Sequence, residues 1–219
     1  LMDHLAVTAD AEGAPFATGP EPMTPGRCIV LPLLSTPHGQ ASVQIHRWSD
    51  AGKSYVSAVS FGDMRPRAES RVTLDPQVRD IVGNPVLRID CRHNDTERAL
   101  AAGQAEVVSA VAAALEVRVT RMTGGVEPPG TAIHECGTAR MGTSPSDSVL
   151  DPNSQCWDAK GLYVTDAACF PTQGVEHPTL TIKALTACAC AHALKSAGLS
   201  APAAAPTTAT PASGNAAQA

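Results

Sequence analysis

The sequence predicts an α+β fold, in which an antiparallel sheet is followed by helical and irregular segments. Three observations support this prediction: strand-like runs over residues 27–89, a helical period over 95–116 and a second helical segment over 177–198. With 219 residues, of which 43% are hydrophobic, the chain is long enough to bury the core of one large or two small domains.

The strand-like part follows a segment of different composition. Residues 1–26 are rich in Pro, Gly and Ala, so we interpret them as an irregular connecting or lid segment. Over residues 27–89, runs such as CIVLPLL and ASVQIHRW are apolar or alternate, and STPHGQ and SDAGK supply turns. Four or five short strands of this kind predict an antiparallel sheet with one solvated face.

Residues 95–116 predict a helix that packs on one face of this sheet, within a unit that spans residues 27–120. Asp95 or Thr96 is the expected N-cap, because a short polar side chain accepts hydrogen bonds from the first turn. Five apolar side chains share one helical face: Leu100, Val107, Val108, Val111 and Leu115. This face is expected to meet the sheet.

The C-terminal part contains a predicted strand, a predicted helix and a tail. GLYVTDA, residues 161–167, predicts a short strand that ends in an acid, Asp166. Residues 177–198 predict a helix with Pro178 in its first turn. Residues 200–219 are low-complexity Ala, Pro and Thr, and we expect them to be disordered.

Composition limits the classes of partner. The formal net charge of −5 argues against nucleic acid or an anionic membrane as the main partner. The apolar runs are too short to predict a membrane span, and the opening LMDHLAVTAD lacks a signal-peptide pattern. The leading Leu suggests a processed product, a partial reading frame or a piece of a longer protein.

The cysteines indicate a reducing compartment. They are seven in number and irregularly spaced, which favours a cytoplasmic protein over a disulfide framework. Cys188, Cys190 and His192 lie in an alanine-rich helical stretch, where positions two apart do not face each other. We therefore interpret these thiols as small buried filler and expect no metal site.

The loop HECGTARMG, residues 134–142, is the main candidate for a functional site. His134 and His177 can share base and hydrogen-bonding roles around one substrate, because imidazole titrates near neutrality. Asp166, at a predicted strand end, and the helix start near Pro178 occupy positions where ligands bind in open α/β sheets. The alternative interpretation is two histidines with satisfied hydrogen bonds and a solvated aspartate.

The segments HECGTARMG, SVLD and GLYVTDAACFPTQGVEHPTLTIKAL together resemble the C-terminal signature of the glucose–methanol–choline (GMC) family of flavin oxidoreductases. The resemblance is dense over residues 131–194, and LMDH and FGDMRPRAESRVTLD resemble earlier family segments. It implies a substrate-binding domain over residues 27–120 and the C-terminal part of a Rossmann-like FAD-binding domain over 121–199. The chain is most similar to the sugar-oxidising branch, with its pyranose oxidase-like and gluconate dehydrogenase-like proteins.

The resemblance implies FAD as the cofactor and an alcohol or sugar as the substrate. In this family a hydride passes from the alcohol carbon to flavin N5, while a histidine takes the hydroxyl proton. By resemblance, His134 is that base, and His177 orients the hydroxyl and contacts the cofactor. We expect both rings to converge on the reactive edge of the flavin. The other five histidines are not expected there: His4, His38, His46, His93 and His192.

Four further residues match cofactor-binding positions of the family. Asp166 and Ala167 match the turn that packs against the diphosphate and ribityl region. Pro178 and Thr179 match the helix start that faces the flavin pyrimidine, where positive potential favours the negative charge of reduced flavin.

One family motif does not occur in these 219 residues, the strand–GxGxxG–helix unit that cradles the FAD diphosphate. We therefore expect weak or no FAD binding by this chain alone, and an N-terminal FAD-binding half on another chain as its partner. The open alternative is a non-catalytic remnant or binding module that has lost FAD binding. A hydrolase is disfavoured, because no GxSxG elbow is present.

Overall fold

The computed structural model describes residues 1–13, 28–50, 53–123 and 125–200. Its strands are β1 (Leu5–Gly13), β2 (Cys28–Thr36), β3 (Gly39–Asp50), β4 (Lys53–Gly62), β5 (Arg71–Arg79), β6 (Pro85–Asp90) and β7 (Arg118–Met122). Its helices are α1 (Asp95–Ala114), the short 3-10 helix Ala167–Cys169 and α2 (Thr179–Ser196). The expected disordered tail lies outside the described residues, apart from Ser200.

A five-stranded antiparallel sheet, in the order β2-β3-β4-β1-β7, carries α1 on one face. Val43 and Ile45 lie two apart on β3, so their side chains share that face. They are buried in one cluster with Val108 and Ala112 of α1. The α+β prediction, with an antiparallel sheet and a helix packed against it, is confirmed.

β1 corrects the interpretation of residues 1–26 as an irregular connecting or lid segment. Leu5–Gly13 is a strand that lies between β4 and β7 in the main sheet. Its sequence, LAVTADAEG, places small apolar residues at alternating positions, which suits a half-buried strand. The Pro and Gly residues that suggested a lid belong to residues 14–27, which lie outside the described ranges.

The N-cap of α1 also differs from the prediction. The cap is Asn94, not Asp95 or Thr96: its side chain accepts a hydrogen bond from the Glu97 amide at 3.0 Å. The Glu97 carboxylate in turn accepts one from the Asn94 amide at 2.8 Å. This reciprocal capping box satisfies two amides that a helix start leaves unpaired.

β5 and β6 form a separate two-stranded sheet, whereas the sequence predicts one continuous sheet over this region. Arg71 pairs with Asp90 at one end of this hairpin, and Arg79 pairs with Pro85 at the other. The strands themselves are confirmed. The main sheet is completed by β1 and β7 instead.

The predicted strand over residues 161–167 is not formed. Tyr163 makes a single backbone bridge with Gln155, and Ala167 already begins the 3-10 helix. A strand requires a partner along its length, and among the described residues these positions find one at isolated points only.

The predicted C-terminal helix is confirmed as α2, and Gly198 just beyond it has a φ of +70°. Of residues 179–196, all described, Ala189 alone is buried. Cys188 and Cys190 are exposed, so their interpretation as buried filler is wrong. No helix in the described ranges is both long and apolar enough to cross a membrane.

Candidate active site

The loop at residues 134–142 is held between the start of the chain and the 3-10 helix. Cys136 exchanges two backbone hydrogen bonds with Met2, each 2.9 Å long. On the other side, the Gly137 amide donates to the Ala167 carbonyl at 3.1 Å. Gly137 has a φ of +77°, and a Cβ at this position would overlap the Met2 side chain. Glycine is therefore required where the loop crosses Met2.

Three histidine rings, one of which belongs to this loop, form a continuous hydrogen-bonded row. His134 Nε2 lies 3.0 Å from His177 Nδ1, and His134 Nδ1 lies 2.9 Å from His4 Nδ1. The row ends on one side at the Gly174 carbonyl, 3.1 Å from His4 Nε2. It ends on the other at Gln44 of β3, whose Nε2 lies 2.6 Å from His177 Nε2.

Phe61 of β4 is the apolar support of this row. Its ring centroid lies 5.2 Å from that of His4, 5.3 Å from that of His134 and 5.6 Å from that of His177. The contacts of Phe61 with His134 and His177 are edge-to-face, an arrangement that aromatic pairs prefer. Phe61 is itself buried, so it offers all three imidazoles a shared apolar surface at the edge of the sheet's core.

Asp3 anchors the backbone on which two of these rings stand. One carboxylate oxygen accepts hydrogen bonds from the His4 amide at 2.9 Å and the His134 amide at 3.1 Å. The other accepts from the Gly130 amide at 2.7 Å. Gln173 adds a side-chain hydrogen bond to the His134 carbonyl at 2.7 Å. His134 is thus held at both backbone groups, and Asp3 is buried with its charge stabilised by three amides.

Burial keeps the inner rings neutral. The pKa of His4 is lowered to about 4, mainly by burial and also by the neighbouring His134, while Asp3 partly offsets the effect. Burial also lowers the pKa of His134, with a second contribution from His177. At neutral pH each of these two rings therefore keeps one nitrogen free of a proton, as a general base requires.

The predicted cofactor-binding residues lie at two other places. Asp166 is exposed and caps the 3-10 helix, since its carboxylate accepts a hydrogen bond from the Ala168 amide at 2.8 Å. Ala167 is the first residue of that helix. Pro178 is the buried N-cap of α2 and offers no side-chain cap, and Thr179 is the exposed first helical residue.

Two residues in the row go beyond the sequence prediction. His4, which is not expected at the flavin edge, lies in the row because it contacts His134 directly. Gln44 was not singled out at all. The signal for His4 was the LMDH segment that resembles the family, and the signal for Gln44 was a polar side chain between the apolar Val43 and Ile45.

Comparison with known proteins identifies the family. A family model described as GMC oxidoreductase, for the C-terminal part, matches residues 66–186. This match covers more than half of the chain, and it includes both His134 and His177. The chain therefore belongs to the GMC oxidoreductase family.

Three curated relatives illustrate the range of the family. The chain is 36% identical over 132 residues to 2-methyl-1,2-propanediol dehydrogenase of Mycolicibacterium austroafricanum, covering 60% of this chain and 24% of that protein. It is 39% identical over 123 residues to C-glycoside 3-oxidase of Arthrobacter globiformis, covering 53% and 22%. It is 25% identical over 146 residues to the gluconate 2-dehydrogenase flavoprotein of Pantoea cypripedii, covering 63% and 23%. The chain thus spans about a quarter of the length of these relatives.

The start of α2 has features that would suit contact with a flavin ring. Pro178 makes no side-chain hydrogen bond to the first turn, so no cap from this residue competes with a negatively charged ligand for the amides there. Leu180, in the same turn, is 79% exposed and offers an apolar surface to a flat ring. His177 precedes this turn and joins it to the row of histidines.

Proposed function

We propose that this chain is the substrate-binding and catalytic C-terminal part of a FAD-dependent oxidoreductase that oxidises an alcohol or sugar hydroxyl. The observation that carries the proposal is the 3.0 Å pairing of His134 Nε2 with His177 Nδ1 beside the uncapped start of α2. A hydroxyl group that displaces the direct hydrogen bond between these two rings can contact both of them.

His134 takes the hydroxyl proton on Nε2 in this proposal. The lowered pKa of His134 leaves the ring unprotonated at neutral pH. Its backbone is held by Asp3 and Gln173, so the ring keeps one position during the reaction. FAD, when bound, supplies the acceptor for the hydride that leaves the alcohol carbon. Loss of the proton and the hydride converts the carbon–oxygen single bond to a carbonyl.

His177 orients the hydroxyl. The residue is exposed, whereas His4 is buried, so His177 is the member of the row that substrate reaches first. The Gln44 amide at 2.6 Å fixes the far nitrogen of its ring. Pro178 and Thr179 then hold the cofactor from the start of α2, and Asp166 and Ala167 support it from the 3-10 helix.

An N-terminal FAD-binding half is the proposed partner of this chain. α2 is an apolar helix of 18 residues that buries little of its surface within this chain. Helices that are apolar all round are normally covered by protein. The FAD-binding half supplies that cover and the diphosphate cradle. The irregular, odd set of cysteines supports a reducing, cytoplasmic location.

Co-expression tests this proposal. The chain is co-expressed with the GxGxxG-containing half encoded upstream, and the purified complex is examined for bound flavin and for anaerobic bleaching by a panel of alcohols and sugars. We expect a yellow complex that at least one of these compounds bleaches. A colourless complex would favour the module that has lost FAD binding, and a yellow complex that none of these compounds reduces would contradict the proposed activity.

A further inference from the structure

The hydrogen bonds along the row of histidines are all donated in one direction, because one end of the row is a carbonyl group, which can only accept. A carbonyl oxygen accepts hydrogen bonds and never donates them. The Gly174 carbonyl, 3.1 Å from His4 Nε2, therefore places the ring hydrogen of neutral His4 on Nε2. Nδ1 of His4 is then a bare acceptor.

The donor and acceptor nitrogens of the next two rings follow in the same way. His134 Nδ1, 2.9 Å from the bare nitrogen of His4, must carry its hydrogen and donate it. His134 Nε2 is then bare and accepts from His177 Nδ1 at 3.0 Å. His177 Nε2 is bare in turn and accepts from the Gln44 side-chain amide, which can donate at the far end.

Gly174 is itself fixed, which gives the row a rigid origin. Its amide donates to the Asp63 carboxylate at 3.2 Å, and its φ of +74° is one that glycine adopts without strain. The Ser42 hydroxyl donates to the carbonyl of the next residue, Val175. The carbonyl of Gly174 therefore points at His4 because the backbone on both sides of it is held.

We propose that His4 is a positioning residue which, together with the Gly174 carbonyl, holds His134 in the Nδ1–H tautomer and so leaves its Nε2 bare. The catalytic meaning of this tautomer rests on the proposed function. When Nε2 receives a proton, the hydrogen bond that it accepts from His177 Nδ1 is lost. Nδ1–H keeps its acceptor on His4, so no hydrogen bond in the inner part of the row has to be rebuilt. Neutral histidine in water favours the opposite tautomer, so the row must impose this one.

Burial maintains the acceptor on His4. The residue is 2% exposed, and the nearest carboxylate, Asp3, has its oxygens occupied by the amides of His4, His134 and Gly130. A protonated His4 would present Nδ1–H to the Nδ1 of His134 and break the row. Its lowered pKa agrees with this geometry.

Nuclear magnetic resonance of the unmodified chain tests the proposal directly. The 219-residue chain is labelled with ¹⁵N in its histidine rings, and long-range ¹H–¹⁵N correlations near neutral pH report which nitrogen of each ring is protonated. We expect protonated Nε2 on His4 and protonated Nδ1 on both His134 and His177. A protonated Nε2 on His134 would overturn the proposal.

Two substitutions separate positioning from mere packing. His4→Phe keeps a ring against Phe61 but removes the acceptor, so His134 should shift to the Nε2–H tautomer. His4→Asn keeps a side-chain oxygen close to the former Nδ1, so His134 should retain Nδ1–H. The matched control is His46→Phe, at an exposed position on β3 outside the row, which should change no other ring.

Persistence of the Nδ1–H tautomer in His4→Phe would contradict the proposal, as would its loss in the control. If His4→Phe does not fold, the unmodified chain and His4→Asn still decide. These spectra need no flavin and no turnover. A wrong tautomer therefore leaves the proposed enzymatic function standing, whereas a complex that never oxidises an alcohol leaves the tautomer result standing.

Discussion

His4, His134 and His177 differ in exposure in the order in which they are hydrogen-bonded. His4 is fully buried, His134 is half-buried and His177 is exposed. The innermost ring is therefore sheltered from protonation, the middle ring has a bare nitrogen, and the outer ring meets solvent. At the scale of single residues, this gradient agrees with the positioning, base and orienting roles proposed for these chemically identical side chains.

Burial of His4 should make the stability of the fold depend on pH. Histidine in the unfolded chain has a pKa near 6.5, and folded His4 has a pKa of about 4. Between these values the unfolded state binds more protons, so stability is full above about pH 6.5 and falls as pH drops toward about 4. The loss is on the order of 3 kcal/mol.

Urea unfolding of the parent chain and of His4→Asn, compared from about pH 7 to about pH 4, measures this effect. The difference in unfolding free energy between the two should shrink as pH falls. A difference that stays constant across this range would show that His4 does not titrate with folding.

At the scale of elements, the start of α1 shows how a cap is chosen. Asn94 and Glu97 cap each other, while the Asp95 side chain is fully exposed and, among the described residues, pairs only with Arg98 at 3.1 Å. We expect Asn94→Ala to lower the free energy of unfolding by about 1 kcal/mol. The matched control, Asp95→Ala, should lie within about 0.5 kcal/mol of the parent.

Urea denaturation of both variants checks this assignment. Equal losses of unfolding free energy in the two variants would mean that Asn94 does not stabilise the helix more than Asp95 does. The sequence does indicate Asn94 as the cap, since NDTE over residues 94–97 resembles the capping-box pattern. Weighing single residues could not separate Asn94 from Asp95 or Thr96, because all three side chains are good caps.

Gly137 provides a second test at this scale. Gly137 and Gly161 both have positive φ, +77° and +84°, but only Gly137 faces another side chain, Met2. Alanine at either position should cost about 1–3 kcal/mol for backbone strain. Gly137→Ala should cost more, because Met2 is completely buried and has no room to move. Equal destabilisation of the two variants in urea would mean that the loop shifts away from Met2 and accommodates the added methyl group.

At the scale of the whole molecule, the sequence predicts those features that depend on residues close together along the chain. The family signature is contiguous in the sequence, so His134 and His177 can be predicted as site residues from the sequence alone. His4 and Gln44 join them across 130 and 133 residues, respectively. No periodicity reports a contact at such separations, because side-chain patterns of strands and helices repeat within a few residues. The order of the strands in the sheet brings these residues together.

The same scale governs cofactor binding. The residues proposed to contact FAD lie at the start of α2 and in the 3-10 helix, and the sequence has no GxGxxG unit for the diphosphate. We expect isothermal titration of the chain alone with FAD to give weak or no binding. Low-micromolar affinity would mean that another part of this sequence cradles the diphosphate.

The most direct test of the central claim is reduction of the flavin by substrate in the reconstituted complex, followed anaerobically by stopped flow. His134→Ala removes the proposed base and should slow reduction by ~10²–10⁴-fold. His177→Asn keeps a hydrogen-bonding side chain and should be tolerated much better than His177→Ala. If His134→Ala reduces its flavin within a few-fold of the parent rate, His134 is not the base, and the loop at residues 134–142 serves only as a structural turn.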